Sequence, residues 1–199
     1  MSRIERTKFL LWSRPVFRTC EIICNHAARL FERGKSLAHA GSELRELNRK
    51  RMQYQRILNR IGSSHGHVCA DCKGKCCGGV RERDAFTDRV LQHPQTPYRQ
   101  GRRKKGKMAP YDVAAERVKS NTAAMQAECV PGHCPELTAK GCRIPYELRP
   151  IQCVAYFCNA TINELSPHQC RTGSKALIGL MKIQIATVLL ALRSKRRRV

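Results

Sequence analysis

The chain has 199 residues, with 38 Lys and Arg against 15 Asp and Glu and a formal charge of +23. That length suits one domain with a hydrophobic core and excludes two full domains. Its hydrophobic content of 42% fits a globular protein, while the charge surplus repels itself and attracts polyanions. Nucleic acid or an anionic membrane surface is therefore an expected partner through the basic segments.

Residues 1–62 form the first region and read as helical. Pro15 suits a first helical turn, after which Val16, Cys20, Ile23, Ala27, Leu30 and Phe31 recur at helical spacing until Gly34. A second helix is expected from near Ser42 to Ile61. Leu44, Leu47, Tyr54, Leu58 and Ile61 give it a narrow apolar stripe, Arg51 holds the missing seam position, and basic residues fill the other faces. This helix, 42–61, either packs on the core or serves as a protein-binding arm.

The second region, 63–171, opens with a loop rich in Gly, Ser, His and Cys. A short helical turn is expected over Phe86 to Leu91. Beyond His93 a basic loop, 99–107, reads as flexible and solvated. Asp112 is a good N-cap for a helix to about Glu128. Pro131, Pro135, Pro145 and Pro150 then break the chain, with a weak hairpin signal near Gly141 to Ile144. The third region, 172–199, holds a helix from about Gly173 to Leu192 and a basic tail. That helix is apolar on more than one face and reads as a core helix, with an anionic bilayer as the other surface it suits. The expected fold is mostly α: one compact domain of helices around an irregular cysteine-rich metal-binding centre, with little or no β.

Eight of the 12 cysteines carry the chemistry. Cys69, Cys72, Cys76 and Cys77 form one cluster, and Cys134, Cys142, Cys153 and Cys158 form the second. Thiolates at short spacings share a soft or borderline cation, because each supplies negative charge and a polarisable lone pair. The N-terminal segment lacks the apolar run and small-residue cleavage site of a secretion signal. Reduced thiols and a cytoplasmic location follow as the expectation. These thiolates exceed the four that one tetrahedral zinc or one cubane cluster needs. Two separate sites, one site with spare cysteines, and a cluster sharing ligands all remain open. Zinc and iron–sulfur both fit the spacing, with iron–sulfur preferred.

Among the other candidates, Cys20 and Cys24 share a helical face and are expected in the core, while Cys129 and Cys170 lie peripheral to the clusters. His65, His67 and His133 are the best substitute ligands. Arg149 is a cofactor-binding candidate whose guanidinium can donate to a thiolate or sulfide, or else form an ordinary salt bridge. Pro150 fixes the chain's entry angle before Cys153. No radical-SAM triad, Gly-rich nucleotide loop or His-Glu-x-x-His element is present, so neither an enzymatic reaction nor a small-molecule substrate can be identified.

The series Cys69-x2-Cys72-x3-Cys76-Cys77, Cys134-Pro135-x-Leu137, Cys142, Tyr146, Arg149-Pro150-x-x-Cys153 and Cys158 resembles the YkgJ-type cysteine-cluster family. The resemblance covers roughly residues 65–160 and implies a zinc- or iron-chelating domain with those eight cysteines as ligands. Two departures stand out. The stretch from Cys142 to Arg149 is one residue longer, with Pro145 as the extra residue, and Val154 stands where the family commonly has a basic residue. The family also includes flagellin lysine methylases, a reaction the flanks here give no ground to transfer. The function expected is metal-ion binding through clustered cysteines, with a redox or protein-modification role. The alternative is a zinc-stabilised basic scaffold that binds nucleic acid.

Overall fold

A computed structural model describes residues 2–28, 37, 40–66, 68, 86–92, 137–138, 141–142 and 146–196. The elements are α1 (Ser2–Leu11), a π turn (Trp12–Val16), α2 (Phe17–Ala28), α3 (Gly41–Ser63), α4 (Phe86–Gln92), β1 (Leu137–Thr138), β2 (Gly141–Cys142), a 3-10 turn (Tyr146–Leu148), α5 (Ile151–Ala155), α6 (Asn159–Glu164) and α7 (Pro167–Arg196). The fold is mostly α. Its described β structure is a minimal antiparallel ladder pairing Leu137 with Cys142 and Thr138 with Gly141. The expected helix from Asp112 and the basic loop 99–107 lie outside the described residues.

α7 is the central element and packs against α1, α2, α3 and α4. Its length and mean hydropathy of 1.8 would suffice to cross a bilayer, but 56% of that stretch is buried within the protein. The helix starts earlier than Gly173, because Ser166 and Gln169 cap it reciprocally. The Ser166 amide donates to Gln169 Oε1 (2.8 Å), and the Gln169 amide donates to Ser166 Oγ (3.2 Å). Leu165 and Cys170, both fully buried, flank that box as an apolar staple. Cys170 is therefore a core residue.

The N-terminal segment departs from expectation in two ways. Pro15 does not open a helix: helix already runs from Ser2, and Pro15 sits inside the π turn. Proline removes one amide from the ladder and collides with the carbonyl four residues back, and a wider turn relieves both. The Phe17 amide reaches back to the Trp12 carbonyl across it. This extra residue rotates the buried face. Phe17, Glu21, Cys24 and Ala28 point inward, whereas Val16 and Ile23 are exposed.

α3 matches the heptad reading, burying Leu44, Arg51, Gln55, Leu58 and Ile61. Its apolar stripe is thus spent on the core. Two apolar clusters result. One gathers Phe9, Phe17, Leu58, Ile151, Phe157 and Leu177; the other gathers Cys24, Leu37, Leu44, Phe86, Leu91 and Val188. Each fully buried side chain of this size contributes about 1.5–3 kcal/mol. Cys20 and Tyr54 touch both clusters. Where each long helix passes from one to the other, it carries buried polar groups: Glu21 on α2, Arg51 and Gln55 on α3, and Gln184 on α7. These groups form a polar belt across the bundle.

Close packing at α7 depends on small residues. A methyl at Gly173 would sit 2.5 Å from the ring of Phe9 and 3.3 Å from Ile61, and Phe9 is fully buried with nowhere to move. Gly173→Ala should therefore destabilise the fold by about 1–3 kcal/mol in chemical denaturation, despite the better helix propensity of alanine. An unchanged or raised midpoint would contradict this packing.

Candidate metal centre

The described part of the candidate centre is Cys142 and the segment 146–161, and α3 holds the start of that segment by a row of hydrogen bonds. Arg51 Nη2 donates to the Glu147 carbonyl (3.2 Å) and Gln55 Nε2 to the Arg149 carbonyl (3.0 Å). One turn further, Asn59 Oδ1 accepts from Arg149 Nη1 at 2.6 Å. Arg56 donates to the Tyr146 hydroxyl (2.9 Å) and lies over its ring. Several basic and polar residues of α3 are therefore structural fasteners rather than solvated charges.

Pro150 supplies the extended entry to α5, at φ −51° and ψ 144°. That helix has no side-chain cap of its own. Instead the Ile151 amide donates to both carboxylate oxygens of Asp88 (3.2 and 3.1 Å), a residue brought in from α4. Arg51 Nη1 lies 3.6 Å from Asp88 Oδ1. On the other side, Gln152 Nε2 donates to Glu21 Oε1 of α2. Two helices, α4 and α2, thus clamp the two residues that precede Cys153, and Arg51 of α3 backs Asp88.

Asp88 is 0% exposed. Burial pushes its carboxyl up to about 7, against the pull of Arg51 and the Ile151 amide, and Glu21 adds to the rise. Asp88 therefore holds its proton more readily than a carboxyl in water.

Cys153 and Cys158 are both half-buried. Cys153 lies within α5, its amide donating to the Pro150 carbonyl (2.9 Å). Cys158 is the N-cap of α6. Its Sγ accepts from the Thr161 amide at 3.4 Å and lies 3.1 Å from Thr161 Oγ1. A sulfur replaces the usual cap oxygen, with its position set by the helix it starts. The neighbouring Phe157 is locked edge-on against Phe9, with ring centroids 5.0 Å apart, and its carbonyl accepts from Arg14 Nε (3.0 Å).

Of the remaining ligand candidates, Cys69, Cys72, Cys76, Cys77 and Cys134 lie outside the described residues, as do Cys129, His67 and His133. The backbone of Cys142 closes the two-residue ladder. His65 Nδ1 lies 3.0 Å from the Ile61 carbonyl and 2.9 Å from Ser64 Oγ. Cys20 and Cys24 pack in the bundle and share a thiol hydrogen bond, which lowers the Cys20 thiol and raises that of Cys24. Among the described residues, no group of three or more His, Cys, Asp or Glu side chains gathers around one point. Cys153 and Cys158, both half-buried, suit thiolate ligation in donor type and exposure, and a four-ligand centre would have to draw on the cysteines before them. Asp88, Glu21, Gln152 and Asn59 are the positioning residues that sequence pattern alone misses.

No family model matches this chain, and no curated protein or solved structure is similar to it.

The folded Asp88 carboxyl keeps its proton up to about pH 7, whereas the unfolded one releases it near 3.8. The native state therefore binds more protons in that window, and this group's contribution to stability falls as pH rises from 4 towards 7, then stays level. Asp88→Asn should remove that slope. Wild-type stability relative to the variant should drop across the window, by about 4 kcal/mol at most. Parallel stability–pH curves for the two proteins would refute the assignment.

Proposed function

We propose that this chain is a metal-ion-binding protein that holds an iron–sulfur cluster or zinc through Cys69, Cys72, Cys76, Cys77, Cys134, Cys142, Cys153 and Cys158. The observation that carries the reading is the ordered series of these cysteines, whose last two members sit half-buried on a hydrogen-bonded, clamped segment. Resemblance of the same series to the YkgJ-type family points the same way. An iron–sulfur centre would supply one-electron chemistry, and zinc a structural cross-link.

The chain's own residues account for the rest. Asp88, Glu21 and the polar face of α3 hold the turn that carries Cys153, and Thr161 holds the sulfur of Cys158. Arg149 is engaged with Asn59, and its positive charge beside the Cys153 turn offsets the charge of gathered thiolates. The centre also offsets part of the cost of ordering cysteine-rich loops, so metal binding is coupled to folding. A redox or protein-modification role goes with the iron–sulfur form. The zinc form fits a stable scaffold whose basic surface takes a polyanion.

Anaerobic purification with elemental analysis and a visible spectrum tests this directly. Brown protein with iron and acid-labile sulfide assigns a cluster, and colourless protein with stoichiometric zinc assigns the scaffold. Cys153→Ser and Cys158→Ser should each weaken metal retention against a chelator by at least about tenfold, while Cys20→Ser leaves metal content unchanged. Wild-type protein without stoichiometric metal, or normal retention in both ligand variants, would sink the proposal.

A further inference from the structure

The N-terminal helices carry an apolar stripe that the core does not use. Ile4 is 61% exposed, Leu11 50%, Val16 37% and Ile23 62%. Heptad steps link Ile4 to Leu11 and Val16 to Ile23, and the π turn supplies the extra residue that keeps both pairs in line. The opposite face of the same helices buries Phe9, Phe17, Cys24 and Ala28, so the stripe is an outward ridge rather than a groove. Ile22, 44% exposed, widens it. Arg3, Lys8 and Arg18 are exposed on the turns that bear it, with Glu5 the one acid exposed in part on the same helices.

Large side chains left in water along one helical face normally mark a docking surface. Charge selects the occupant here. A second copy would bring another +23, and like-charged chains of that size repel. A nucleic acid would satisfy the cations but leave the isoleucines and leucine in water. An outward ridge with an apolar crest and cationic flanks suits the boundary between headgroups and acyl chains of an anionic bilayer. We infer that the exposed Ile4–Leu11–Val16–Ile23 face of α1 and α2 docks the protein on an anionic membrane surface, with α1 and α2 lying in the plane of the headgroups.

This inference rests on residues separate from the candidate metal ligands. It is tested by sedimenting the full chain with phosphatidylcholine vesicles, with and without phosphatidylglycerol as one third of the lipid. Binding should require the anionic lipid and weaken as salt rises. Leu11→Gln and Ile23→Gln should each reduce partitioning by about tenfold, with the helical circular dichroism unchanged because both side chains are already exposed. Lys8→Gln with Arg18→Gln should lower binding and flatten its salt dependence. Three results would overturn the inference: no binding to anionic vesicles, binding that the Leu11 and Ile23 variants leave intact, or a wild-type oligomer that those two variants dissociate.

Discussion

The carboxylate of Asp88 is the constraint on which the described architecture turns. It lies fully buried, pairs with an equally buried Arg51, and accepts the first amide of α5. Burying an ion costs several kcal/mol unless partners compensate it. Here an opposite charge and a backbone amide offset that cost incompletely, which is why the carboxyl stays so ready to take a proton. A bundle of this size could have closed its core with leucines. Retaining a charge there ties α4 to α3 and both to the start of α5, contacts that nonspecific apolar packing would not specify.

The belt joins core to candidate centre. Glu21 through Gln152, Asp88 through Ile151 and Gln55 through Arg149 each end on the short segment that leads into Cys153. Thiolate ligands must be held with little freedom if a cation is to be bound tightly, and the supporting groups set that freedom. Because the same groups lie between the two apolar clusters, loosening the bundle and loosening the Cys153 turn are one event. Phe157, packed against Phe9, extends this coupling to Cys158 and to the helix whose outer face carries the exposed stripe.

Much of the helical frame was legible in the sequence. The stripe of α3 was readable down to its one irregular position, and Arg51 in that seam was the visible trace of the belt. The inward face of α2 was not, because Pro15 shifts the helical phase through a π turn that periodicity treats as unbroken. The start of α7 is written in Ser166 and Gln169, but the apolar run that marks the helix in the sequence begins only after Gly173. Asp88 was the hardest to foresee. Its partner Ile151 lies 63 residues away along the chain, and nothing local distinguishes a buried carboxylate from a solvated one. The cysteines stand out as a set by their spacing, and of that set Cys153 and Cys158 lie half-buried on segments that the bundle holds.

Native-state hydrogen exchange at the Ile151 amide tests the role of Asp88 most directly. If the buried carboxylate clamps α5 to the bundle, that amide should exchange only through near-global opening, although it opens a helix of 5 residues. Its protection should then fall in parallel with the core of α3 when Arg51 is replaced by methionine. Exchange at the rate of a frayed helix end, indifferent to Arg51, would contradict the account.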